Sequence, residues 1–170
     1  MISTGNPKNT EVIDLEDSNV ECEDLEDYPM EVDNAFGASL ASTPIICGGY
    51  FHTSGFDASG HSSDKCFKYK EGKWQNFSTM IEGRYSAVGI VYNNALHIFG
   101  GRDYQNHDQL ELGLGSAELQ SSEIIKEDGS SSEGPHLPVP IYGHAIASIN
   151  STVSILSGGI TTQLLNGERC

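Results

Sequence analysis

Pro44-Ile45-Ile46-Cys47-Gly48-Gly49, PIICGG, is an apolar run closed by a double glycine, and the phrase returns as LHIFGG at Leu96–Gly101 and as VSILSGG at Val153–Gly159. The first glycines of the three pairs, Gly48, Gly100 and Gly158, stand 52 and 58 residues apart. A period of about 50 residues marks a repeat architecture in which each unit is one small supersecondary element that buries its face only against its neighbours. Working outward, each run has a second apolar segment before it. The units read AFGASLASTPIICGG (Ala35–Gly49), YSAVGIVYNNALHIFGG (Tyr85–Gly101) and GHAIASINSTVSILSGG (Gly143–Gly159). Each is two strands around a short polar turn, at Ala41-Ser42-Thr43, Asn93-Asn94 and Asn150-Ser151-Thr152. Asn tolerates the left-handed backbone that tight hairpins require. Runs such as IIC and HIF are apolar at consecutive positions, as expected of strands covered on both faces. The glycines are expected to end these strands where no side chain fits and positive φ is needed.

A third strand follows each of the first two units, DKCFKY (Asp64–Tyr69) and SSEIIK (Ser121–Lys126), and TEVIDL (Thr10–Leu15) matches SSEIIK as the same strand of an earlier unit. Fourth strands are VECEDL (Val20–Leu25), KWQNF (Lys73–Phe77) and the weaker SSSEGPHLP (Ser130–Pro138).

Apolar strand, double glycine, Tyr, Trp and Met-x-x-x-Arg together resemble the Kelch repeat family. Gly48, Gly49, Tyr69, Trp74, Met80 and Arg84 supply the fullest copy, and Gly100, Gly101, Gly158 and Gly159 repeat its punctuation. The spacing between Tyr69 and Trp74 is shorter than the family pattern, and the other copies lack the Trp and Arg. The resemblance implies an all-β fold: a Kelch-type β-propeller of four-stranded antiparallel blades, here incomplete. It divides the chain into a disordered N-terminus at 1–9, a partial propeller at 10–165 and a truncated tail at 166–170. Within the propeller lie a half blade (10–27), two blades (35–78 and 86–138) and a second half blade (143–160). Propellers use four to eight blades, so an arc of about three points to a fragment of a longer protein, or to a second copy that closes the ring. The resemblance also makes Trp74 an inter-blade packing residue.

Composition excludes several functions. There are 24 Asp and Glu against 9 Lys and Arg, a formal charge of −15. Eleven of the acids lie between Glu11 and Asp33, threaded with Val12, Ile13, Leu15, Val20 and Leu25 as in a solvated strand-and-turn surface. Phosphate-backbone binding needs a basic face that this chain lacks. DLEDSNVECEDLE has no central Gly to turn an EF-hand loop. No apolar run is long enough to insert in a membrane as a helix, and the first ten residues have no apolar signal segment.

Four cysteines, Cys22, Cys47, Cys66 and Cys170, form no C-x-x-C pair and no zinc spacing. Cys47 and Cys66 would face each other if their strands pair antiparallel, so they are a candidate disulfide. Sequons at Asn76-Phe77-Ser78 and Asn150-Ser151-Thr152 are candidate N-glycosylation sites. Disulfide and sequons favour an extracellular setting, and an intracellular protein with buried thiols stays open. No nucleophile elbow, phosphate loop, metal cluster or cofactor motif is present, so the expectation is a non-enzyme without cofactor. His97 reads as a packed strand residue, and His52, His61, His107, His136 and His144 as surface groups. A copper site like that of propeller oxidases, similar in fold to Kelch proteins, would need clustered His and Tyr ligands.

Recognition is expected in the long stretches after the glycine pairs, Tyr50–Ser63 and Arg102–Gln120, because connections on rigid strands carry variable contacts. Tyr50, Phe51, His52, Phe56, Arg102 and Tyr104 are the candidate contacts to a protein partner of unstated identity, since aromatic and Arg side chains dominate interface energy. The two functional readings are a Kelch-type interaction scaffold and a secreted or cell-surface propeller with a protein or glycan ligand.

Overall fold

The computed structural model describes residues 10–12, 23–52, 60–104, 117–150 and 152–161, and these residues are all β-strand, turn or extended chain. Near the N-terminus β1 (Glu11–Val12) pairs antiparallel with β2 (Glu23–Asp24). The hairpin of β3 (Phe36–Leu40) and β4 (Thr43–Cys47) then leads outward into a small sheet of β5 (Tyr50–His52) and β6 (Gly60–Ser62). The chain returns as β7 (Lys65–Lys70) and β8 (Lys73–Thr79), completing a four-stranded sheet in the order β3-β4-β7-β8. The plan repeats with β9 (Val88–Tyr92), β10 (Ala95–Phe99), a small sheet of β11 (Arg102–Asp103) and β12 (Ala117–Glu118), then β13 (Ser122–Lys126) and β14 (Ser131–Glu133). A last hairpin, β15 (Tyr142–Ser148) and β16 (Ser154–Ile160), pairs only with itself among the described residues. We call the two four-stranded sheets blades one and two.

Local sequence explains the hairpins. Asn93 and Asn94 have φ of 52° and 54°, and Ala41 and Ser42 match them at 48° and 60°. Two consecutive left-handed residues make the turn whose twist suits antiparallel strands. Only the first pair uses residues that favour that backbone. Strand β10 is apolar on both faces: Leu96 and Ile98 are buried on the side of blade one with Ile125 beside them on β13, and on the other side Ala95 is buried while His97 and Phe99 are half-buried. Phe36, Leu40, Ile45 and Cys47 of blade one pack with Leu96, Ile98 and Ile125 of blade two in one core.

A fixed set of backbone bonds joins each blade to the next. Gly49 N–H donates to the carbonyl of Arg84 at 2.9 Å, Arg84 N–H to Ser63 at 3.1 Å, and Ser63 N–H to Gly49 at 2.8 Å. The same triangle recurs as Gly101 to Ile141 at 2.8 Å, Ile141 to Leu119 at 3.2 Å and Leu119 to Gly101 at 2.9 Å. Near the axis, Ser86 N–H donates to Asn34 and Gly143 N–H to Ser86, both at 2.9 Å, one step per blade. The glycine pairs exist for this junction. A Cβ at Gly48 or Gly100 would overlap the carbonyl oxygen of Arg84 or Ile141, and both glycines have positive φ.

Two expectations are corrected. The double glycine does not end the third apolar strand: β16 runs through Gly158 and Gly159 to Ile160, because Ile160 still pairs with Tyr142 and prolongs the ladder. His144 is not a surface group. It is 6% exposed, and neither ring nitrogen has a hydrogen-bond partner among the described residues. It stands two residues before Ile146, where the first two units have Ala35 and Ala87 packed on Gly49 and Gly101, and its Cβ packs on Gly159 in the same way. The segments 1–9 and 166–170 lie outside the described residues.

Candidate functional site

The motif residues build the blade junctions. Trp74, on β8, meets Tyr28 and Tyr69 edge-on at 5.1 and 5.2 Å and donates from Nε1 to Thr10 Oγ1 at 3.2 Å. It thereby ties blade one to the N-terminal strands. Burial pushes the Tyr28 phenol up from its ordinary pKa. Met80 is buried and would contact a Cβ on Gly48. Arg84 is wholly buried. Its Nη1 donates to the Gly100 carbonyl at 2.8 Å and its Nη2 to Glu123 Oε1 at 2.5 Å. The Glu123 carboxylate, 2% exposed, also accepts from the N–H groups of Ile81 and Glu82 at 2.7 and 3.1 Å. One buried ion pair therefore fixes the segment that crosses from blade one to blade two. Glu123 is invisible as a partner in sequence, since nothing local links it to Arg84.

Cys47 and Cys66 are opposite residues of β4 and β7 and are disulfide-bonded, with Cα atoms 4.1 Å apart. Asn76 and Asn150 are both exposed. Asn150 Oδ1 accepts from the N–H groups of Thr152 and Val153, each at 2.9 Å, in a turn at the tip of the last hairpin.

The long connections are not plain loops at their bases, because β5–β6 and β11–β12 extend them as two short ribbons. Those ribbons are joined: Tyr104 N–H donates to Ser62 Oγ at 2.6 Å. Tyr50 lies between two other tyrosines, 5.6 Å from Tyr104 and 5.3 Å from Tyr85. Its ring covers Gly60 so closely that any side chain there would overlap it. Burial, then the neighbouring phenols Tyr104 and Tyr85, raises the Tyr50 pKa. Backbone pairing holds Tyr85 to Arg102, and the Arg102 guanidinium lies 4.5 Å over the Tyr142 ring. Tyr50, Tyr85, Tyr104, Arg102 and Tyr142 are all half-buried, so each presents part of its surface.

Three of the candidate contacts, Tyr50, Arg102 and Tyr104, therefore share one cluster. Phe51 alternates to the other side of its strand and meets the His61 ring at 5.5 Å with the ring planes tilted by 48°. His52 ends β5 and its side chain lies outside the described residues, as does Phe56. Tyr85 precedes its hairpin and Tyr142 opens β15, and both escape sequence reading because neither position carries a recognition signal of its own. Among the described residues no group of three or more His, Cys, Asp or Glu could hold a metal ion, and no helix is long and apolar enough to cross a membrane.

No family model matches the sequence, and no curated protein matches it. The fold does have a counterpart among solved structures. The chain is similar to the structure of YjhT, with a TM-score of 0.68 at 14% sequence identity, over 82% of this chain and 48% of that one. This is an incomplete β-propeller-like fold. The chain spans about half the length of that neighbour, and at this identity the likeness concerns the fold alone.

Proposed function

We propose that the chain is a Kelch-type protein-interaction module, a scaffold or recognition domain without catalytic activity of its own. The observation that carries this reading is the cluster of Tyr50, Tyr85 and Tyr104 beside the Arg102–Tyr142 pair, held across two blades by short ribbons. Half-buried aromatic and Arg side chains on a rigid base lose little conformational freedom on binding and supply most hot-spot energy. The test is a binding titration of a captured protein partner against the wild type and against Tyr50→Ala and Tyr104→Ala. Each substitution is expected to weaken binding by at least about 30-fold, the effect of a 2 kcal/mol hot spot. Unchanged affinity in both would reject this cluster as the contact.

The Cys47–Cys66 disulfide and the exposed Asn76 and Asn150 favour a second reading, a secreted or cell-surface propeller with a protein or glycan ligand. Persistence of the disulfide in protein isolated from cells under thiol-blocking conditions, together with glycan on Asn76, would support it. Free thiols and a bare Asn76 would favour the intracellular scaffold.

A further inference from the structure

The last hairpin is a blade whose junction is built and not filled. Gly158 and Gly159 have φ of 76° and 87°, the left-handed backbone of the other two pairs. At Gly48 and Gly100 a carbonyl of the entering segment of the next blade closes over the glycine, yet among the described residues nothing lies within 4 Å of a Cβ placed on Gly158. The sheet face beside it is equally open. Ile155 is 54% exposed and Ile149 60%, whereas Ile45 and Leu40, at the same register positions of blade one, are each 2% exposed and sit in the inter-blade core. Among the described residues no strand pairs with β16 on the side where β4 pairs with β7 and β10 with β13. Natural edge strands are guarded by charge or proline. From Ile141 to Thr161 this chain has neither Asp, Glu, Lys, Arg nor Pro. Such an edge and face are suited to being covered.

The molecule carries the complementary parts. Strands β1 and β2 pair with each other, and Thr10, just before β1, accepts from Trp74 Nε1 of blade one, which sets the pair where the outer strands of a preceding blade would stand. Blade one offers them company on a face that contains the exposed Gly37; the matching glycine of blade two, Gly89, is the one that meets Phe36 of blade one.

We propose that a second copy of this chain occupies the open junction. The β16 edge of one copy pairs with β1 of the other, and the Ile149–Ile155 face packs on the Gly37 face of blade one. Each composite blade is then β15-β16 from one copy and β1-β2 from its partner. With two complete blades per copy the ring closes at six blades under two-fold symmetry, which leaves no free edge.

Light scattering and sedimentation of the full chain at micromolar concentration test this. The expected mass is twice the 18.3 kDa of one chain. Ile155→Asp and Gly37→Glu, one on each side of the junction, are expected to yield monomer with the disulfide and far-UV spectrum intact, while Tyr104→Ala stays dimeric. Hydrogen exchange on the wild type supplies a second readout: β16 amides should exchange more slowly at high than at low concentration. A wild-type monomer, an open-ended polymer, a dimer that survives both substitutions, or exchange independent of concentration would each overturn the proposal. The partner titration above reads a different surface, so the two ideas fail separately.

Discussion

Arg84 is the residue on which the junction between blades turns, because its backbone bonds to Gly49 and Ser63 beside blade one and its guanidinium to Gly100 and Glu123 of blade two. Removing one member of a buried pair leaves the other charge unpaired and dry, which costs about 3–5 kcal/mol. Arg84→Ala is therefore expected to lower the urea unfolding free energy by that amount, and a loss below about 1 kcal/mol would show that Glu123 finds another partner. His144 adds a pH term. Burial holds its pKa below the ordinary imidazole value, so the folded protein binds fewer protons than the unfolded chain. The stability this site permits is complete above the unfolded pKa of about 6.5 and is lost as pH falls through the folded value. His144→Ala, the residue of the two other units, should flatten the stability profile below pH ~6.5; an unchanged slope between wild type and variant would place the titration elsewhere. The Met-x-x-x-Arg spacing made Arg84 legible in the sequence, but its partner and the burial of His144 were not, since both arise from contacts between units.

At the scale of the element, the hairpins obey their turns. The Ala41-Ser42 turn adopts the same left-handed pair as Asn93-Asn94 with residues that pay a steric penalty for it. Replacing both, Ala41→Asn with Ser42→Gly, keeps the backbone and relieves that strain. The double variant is expected to gain about 0.5–1 kcal/mol in thermal or urea unfolding, and any loss would mean that the native side chains contribute packing there. The ribbons at the bases of the connections belong to this scale too. Their strands are only two or three residues long, too short to show a period, so reading Tyr50–Ser63 as a connection missed the pairing that aims Tyr50.

For the whole molecule, stability is distributed by repeat, as expected of units that hold one another in place. Blade two lies between blade one and the last hairpin, whereas Ile149 and Ile155 on the outer face of β15–β16 are exposed. In the Ile155→Asp variant, kept monomeric, amides of β10 should therefore exchange far more slowly than those of β16, and equal protection would indicate a single cooperative unit instead. The repeat itself, its hairpins and its double glycines were decided by the sequence alone. Strand alternation, turn chemistry and the need for a missing side chain are local properties that recur at fixed spacing. Only the tertiary structure decided that Arg84 meets Glu123, that Tyr50, Tyr85 and Tyr104 converge, and that one glycine junction stands open. Each depends on which units lie side by side, and adjacency between residues tens of positions apart is set by packing of the blades rather than by any pattern along the chain.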